Sequence, residues 1–252
     1  MKKTYYSDLA CEASAEKQKL YDVSTREIQG ITTVNFVSRK SRLTENVTLY
    51  TGKSWKYNDE YEKDLINALS VSISSITLAN CKSCERILIT GLGNKNIMSD
   101  SLGPSVIDLL YPLVDKNKHQ NEIRLLPTGV EGQSGFTAFE LIREAARLMN
   151  PTLIIAIDSL CAKGIDRLAT TIQLSATGIL PGSGIGNHKK EISRKTLGIP
   201  VISIGVPTVS NLGALTKNEE LYDHYVSPSD VDFTIGSMSR VISSSIIASL
   251  YK

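Results

Sequence analysis

The sequence predicts an α/β protein: three α/β/α layers around a mainly parallel, twisted sheet, with a small β-hairpin appended at the N-terminal end. Two observations carry this expectation. Five apolar runs, Arg86–Thr90, Ile123–Leu126, Leu153–Ile157, Thr171–Leu174 and Val201–Val206, have the length and near-continuous hydrophobicity of strands buried on both faces. Helical patterns separate several of them, and strand–helix alternation implies right-handed crossovers and parallel pairing.

In chain order, the first element is the hairpin, read from β-rich pieces between Glu27 and Gly52, Ile28 to Val37 and Asn46 to Tyr50. Asp59 to Asn80 follows as a helix, capped by Asn58 or Asp59, with acidic residues in its first turn. Leu65, Ala68, Leu69, Ile73 and Ile76 fall on one stripe of it. Leu102 to Asp115 and Phe136 to Met149 are the crossover helices, and Ser229 to Leu250 closes the chain with Ser229 and Asp232 as a near capping box. With five Gly and one Pro in ten residues, Gly178 to Asn187 reads as a loop. At 252 residues the chain corresponds to one large or two small domains. Residues 1–58 form an N-terminal segment with the hairpin and residues 59–252 the α/β body, within one compact unit overall.

Composition narrows the function. The chain is 41% hydrophobic and 21% charged, within the globular range, which excludes disorder and collagen-like repeats. A net charge of +2 supplies no field that would favour nucleic acid, so no nucleic-acid partner is expected. No apolar run approaches the roughly 18 to 20 residues that cross a bilayer, and Tyr5, Ser7, Asp8 and Glu12 interrupt any signal-peptide core, so the expectation is a cytoplasmic protein without a membrane partner. Cys11, Cys81, Cys84 and Cys161 are too few and scattered for a disulfide framework. Cys81 and Cys84 have redox or half-zinc spacing, but they precede a strand, and no second pair stands nearby to complete four ligands.

In an open parallel sheet the crevice lies beyond the carboxyl ends of the strands. Two runs lead there to an acid. Ile87-Leu-Ile-Thr-Gly-Leu-Gly-Asn94 continues into Asp100-Ser-Leu-Gly-Pro104, and Leu153-Ile-Ile-Ala-Ile157 ends directly in Asp158. If the two strands are neighbours, both carboxyls face one crevice, and two close carboxylates resist simultaneous ionisation, so that one holds a proton while the other activates water. The plainer readings are an N-cap for Asp100 and a turn residue for Asp158. The segment from Gly91 to Asn96 lacks the third Gly of a dinucleotide fingerprint, and Gly182 to Asn187 lacks the ending of a phosphate loop, which leaves it as a wall of the cleft. His119, His188 and His224 lie in polar surroundings, and Cys161 has no recognisable His partner, so neither a triad nor a zinc motif can be assembled.

Taken together, these segments resemble the germination protease family, endopeptidases that degrade small acid-soluble spore proteins. The resemblance rests on Ser7-Asp-Leu-Ala-Cys-Glu-Ala13, Gly91 to Asn94 with Asp100 to Pro104, Ala156-Ile-Asp-Ser-Leu160, Thr170 to Ser175, Gly178 to Asn187, Lys190 to Ser193, Thr196 to Thr208 and Val226 to Asp232. It implies an atypical aspartic endopeptidase sharing its fold with hydrogenase maturation proteases, with Asp100 and Asp158 as its catalytic pair and no cofactor or metal. It further implies a homotetrameric zymogen of the spore core acting on those spore proteins. Gly93, Asn94, Gly129, Gly184 and Asn187 are the expected substrate-binding positions, and backbone N–H groups around Gly91 to Asn94 or in the Gly182 to Asn187 loop are candidates to hold an oxyanion.

Three departures from the family pattern stand out. Only six residues precede Ser7, Thr208 and Val226 are under twenty residues apart where the family carries a long insertion, and Thr128-Gly-Val-Glu-Gly132 places Glu131 near the cleft, facing solvent. Two alternatives remain: a metal-dependent maturation-type protease with His188 as an added ligand, and a shortened non-catalytic paralogue that binds spore proteins.

Overall fold

A computed structural model describes residues 9–12, 18–52, 58–114, 122–182 and 189–250. Its strands are β1 (Tyr21–Ile28), β2 (Ile31–Ser38), β3 (Thr44–Tyr50), β4 (Arg86–Leu92), β5 (Glu122–Gly129), β6 (Leu153–Ala162), β7 (Thr171–Ser175), β8 (Val201–Asn211) and β9 (Tyr225–Val226). They form one sheet in the order β1-β2-β3-β7-β8-β6-β4-β5, with β9 paired to β8. The longer helices are α1 (Asp59–Asn80), α2 (Leu102–Leu110), α3 (Ala138–Met149) and α4 (Val231–Leu250).

Local chemistry explains the helix ends. The Asn58 side chain accepts from the backbone N–H groups of Glu60 and Tyr61 at 3.0 and 3.2 Å, and Asp59, Glu60 and Glu62 lie in the favourable field of the first turn. Thr137 and Glu140 form a reciprocal capping box at α3, which therefore begins two residues after Phe136. The helix ends at Asn150, whose φ of 48° lies in the left-handed region that Asn tolerates.

Two apolar layers cover the sheet. On one face Leu65, Leu69 and Ile73 of α1, Leu102 and Ile107 of α2 and Met238, Val241 and Ile242 of α4 pack on Ile87, Ile89, Ile155, Ile157, Ile202 and Ile204. On the other, Phe139, Ile142 and Ala146 of α3 pack on Leu88, Leu92, Ile154 and Ala156, beside Ile192. Each fully buried Ile or Leu contributes about 1.5–3 kcal/mol. By length and composition α4 could cross a bilayer, but 56% of its most apolar window is buried against the protein core.

The α/β class and the layered arrangement stand. The sheet itself is mixed: β5, β4, β6 and β8 run parallel, and every other pairing is antiparallel. The N-terminal hairpin is a three-stranded meander rather than an appendage. β3 pairs antiparallel with β7, with Leu49 opposite Ile172 and Val47 opposite Leu174. All four side chains are buried, so the pairing removes a sheet edge and extends the core across residue 58. The strand containing Asp158 also runs on: the apolar run ends at Ile157, but pairing with β8 carries β6 to Ala162.

Candidate active site

The carboxyl ends of β4 and β6 meet the start of α2, β8 reaches the turn just before it, and glycines permit the approach. A side chain on Gly91 would overlap the carbonyl carbon of Gly103 and, at 2.7 Å, Cγ1 of Ile107. One on Gly103 would come within 2.6 Å of the Ile157 carbonyl oxygen. Helix α2 thus starts directly on β4 and touches the residue before Asp158. β4 and β6 are hydrogen-bonded neighbours, with Gly91 opposite Ile157, the residue before Asp158, while Asp100 lies three residues before Gly103.

Asp100 closes a 3-10 turn, Met98–Asp100, held by its backbone N–H donating to the Ile97 carbonyl at 2.8 Å. Its carboxylate does not cap α2. The N-cap is Ser101, and Oδ2 of Asp100 instead accepts from the Asn94 backbone N–H at 2.8 Å. Gly93, at φ +104°, makes this turn possible: a Cβ there would lie 2.9 Å from Asp100 Oδ1. Burial pushes the Asp100 carboxyl above its ordinary range, against smaller opposing effects of the Asn94 N–H and the Lys189 ammonium.

Asp158 is 7% exposed, and its Oδ1 accepts from the Ser159 backbone N–H at 2.9 Å. Side chains alternate along β6, so Asp158 shares the face of Ala156 and Leu160, the face that carries α3 and Ile179. Cys161 is buried and by the same alternation faces the other way.

The remaining expected positions separate. Gly93 and Asn94 build the seat of Asp100, and with its N–H engaged by Asp100 Oδ2 the Asn94 amide is not available as an oxyanion donor. Gly129, at the end of β5, joins the same neighbourhood through Gln133: Gln133 Nε2 donates to Asn94 Oδ1 at 3.1 Å while its Oε1 accepts from Val130 N–H at 3.4 Å. Gly184, Asn187 and His188 lie outside the described residues. Glu131 is exposed, and His224 stands on an exposed stretch before β9. Among the described residues no group of three or more His, Cys, Asp or Glu is arranged to hold a metal ion.

Residues that sequence reasoning did not single out complete the neighbourhood. Gln133 and Lys189 are two; Thr208 is the third. On β8 the register slips by one between Leu160 and Cys161 of β6, leaving Thr208 as the extra residue of a bulge. Its hydroxyl donates to the Ser99 carbonyl at 2.6 Å. Thr208 ended a motif in the sequence, but nothing in the motif says where its hydroxyl goes.

A mixed α/β sheet with helices on both faces, one acid on β6 and another in the turn that follows β4, defines the class as a layered α/β protein. The chain belongs to the germination protease family, a peptidase family whose profile matches residues 12–226. It is 34% identical over 228 residues to the germination protease of Clostridium acetobutylicum, covering 84% of this chain and 70% of that one. Against the germination protease of Bacillus subtilis it is 33% identical over 248 residues, covering 86% and 66%. The match to the Bacillus velezensis germination protease is 42% identical over 163 residues but spans 43% of that protein. Among solved structures, the [NiFe] hydrogenase maturation protease HycI from Thermococcus kodakarensis is similar, with a TM-score of 0.45 at 15% identity over 69% of this chain and 98% of that one.

Proposed function

We propose that this protein is an endopeptidase that begins the degradation of small acid-soluble spore proteins during germination, with Asp100 and Asp158 activating a water molecule. The observation that supports the reading is the parallel pairing of β4 with β6: the chain leaving β4 forms the turn that holds Asp100, and β6 bears Asp158. Burial favours the protonated form of Asp100, so the pair can hold one proton between them. In the ionised partner a carboxylate oxygen takes a proton from water as the oxygen attacks the scissile carbonyl. The protonated partner then delivers its proton to the leaving amine. Gly93, Gly129 and the segment from 183 to 188, with Gly184 and Asn187, would border the bound peptide. Family resemblance further supports a homo-oligomer, a tetramer, working in the spore core without a cofactor.

The test is incubation of the purified chain, at substoichiometric amounts, with a small acid-soluble spore protein, followed by mass analysis of fragments. Discrete fragments are expected from the wild type and none from Asp100→Asn or Asp158→Asn, with both variants folded. Cleavage by either variant at the wild-type rate would remove the aspartate mechanism, and stoichiometric binding without turnover would favour a non-catalytic binder.

A further inference from the structure

We propose that Thr208 is a positioning residue for the acidic pair, holding the peptide that carries Asp100 in register with β6 through its hydroxyl bond to the Ser99 carbonyl. This rests on the reading of Asp100 as a reacting group. Three observations carry it.

First, the contact is short and its donor is buried. Thr208 is 0% exposed and its Oγ1 lies 2.6 Å from the Ser99 oxygen. Without the hydroxyl the Ser99 carbonyl loses this donor from β8. Second, the contact is produced by an irregularity. In a regular β8 the pairing of Pro207 with Leu160 would be followed by Thr208 opposite Cys161; instead Val209 takes that place. The extra residue re-aims one side chain, and the side chain so aimed is the one that reaches the Asp100 turn. Third, the bond joins the elements whose relative position matters. Thr208 stands on β8, hydrogen-bonded along its length to β6, which bears Asp158. Ser99 precedes Asp100 in the chain. The backbone hydrogen bonds at this turn, Asp100 N–H to Ile97 and Ser101 N–H to Met98, are local to it, and the Asp100 carboxylate is tied to Asn94 in the stretch after β4; the Thr208 hydroxyl is the bond that reaches β8. Thr208 therefore couples the placement of one acid to the strand pair that places the other.

The experiment compares Thr208→Ser, which keeps the hydroxyl, with Thr208→Ala and Thr208→Val, which lose it. Steady-state cleavage of a small acid-soluble spore protein and amide hydrogen exchange at Asp100 and Ser101 are measured on each. Removal of the hydroxyl is expected to lower kcat about 10- to 100-fold at nearly constant KM, because sub-ångström misplacement acts on the chemical step rather than on binding. Thr208→Ser is expected to recover most of the rate, and exchange at Asp100 and Ser101 to accelerate in Thr208→Ala and Thr208→Val alone.

Equal impairment of Thr208→Ser and Thr208→Ala, or wild-type kcat in Thr208→Ala, overturns the inference. Should Thr208→Val fail to fold, the Ser and Ala pair, which differ only by the hydroxyl, decide the matter. If Asp100→Asn cleaves normally the aspartate mechanism falls, whereas loss in Asp100→Asn beside an unaffected Thr208→Ala overturns the positioning role alone.

Discussion

The backbone N–H of Asn94 donates to Oδ2 of Asp100 at 2.8 Å, so the residue that ends the Gly-Leu-Gly-Asn stretch serves the acid six positions later. The bond stabilises the ionised carboxylate, but burial is the larger influence and raises the Asp100 pKa. The folded state therefore binds a proton here more tightly than the unfolded chain does. Its contribution to stability is fully present below the ordinary carboxylate value of about 4 and is lost as pH rises through the higher folded value. Asp100→Asn, permanently neutral, is expected to melt above the wild type at neutral pH, with the gap closing towards pH of about 4. Thermal unfolding at both pH values checks this; a gap that widens in acid would contradict it.

Gln133 supports the same contact from outside. Both ends of its side-chain amide are engaged, one by Val130 and one by Asn94, although the side chain is exposed. Gln133→Ala should cost about 0.5–1 kcal/mol of stability, the usual net worth of a neutral hydrogen bond near solvent. Chemical denaturation measures it. A second readout is the Asn94 amide resonance, which titrates with Asp100. Its midpoint should move upward once Asn94 is less firmly held.

The start of α2 is sensitive to a single methyl group. Gly103→Ala drives a Cβ into backbone atoms of Leu92 and Ile157, none of which can swing aside, so a loss of about 3 kcal/mol or more and a marked fall in activity are expected. Gly132 makes a control. Nothing lies within 4 Å of its added Cβ and its φ is not in the left-handed region, so Gly132→Ala should be neutral or stabilise by up to about 1 kcal/mol. Parallel unfolding curves for the two variants separate the cases, and similar losses would be wrong for this geometry.

Cys81 and Cys84 lie at the opposite end of β4, with their sulfurs 3.5 Å apart and both thiols free. Burial, with the neighbouring Cys81 thiol, pushes the Cys84 thiol up to about 12. The thiolate is the reactive form, and its greater intrinsic nucleophilicity offsets only part of its scarcity. Iodoacetamide should therefore label Cys84 about thirtyfold or more slower at pH of about 8 in the native protein than in the unfolded chain. Mass mapping of time points gives the ratio; equal rates would mean an accessible thiol of ordinary acidity.

Much of this was legible in advance because it depends on neighbours in the chain. The bounds of α1, the apolar runs of β4 and β6, and the placing of Asp100 and Asp158 near their carboxyl ends follow from periodicity and from where polarity resumes. The pairing of β3 with β7 was not legible, since Leu49 and Ile172 are far apart in sequence and nothing local in either strand names its partner. Nor could an Asp before a helix be separated from an N-cap, because both patterns look alike until the carboxylate is seen to accept from Asn94 instead.

The amino-acid order alone determined the α/β class and the four long helices, because hydrophobic period and turn chemistry act over a few residues at a time. Tertiary structure decided that the sheet is mixed, that the hairpin joins it, that Thr208 reaches the Asp100 turn and that Gln133 reaches Asn94. Those outcomes depend on which distant surfaces exclude water from one another and on a one-residue slip between paired strands, and a side chain's target across such a contact is written in no single segment.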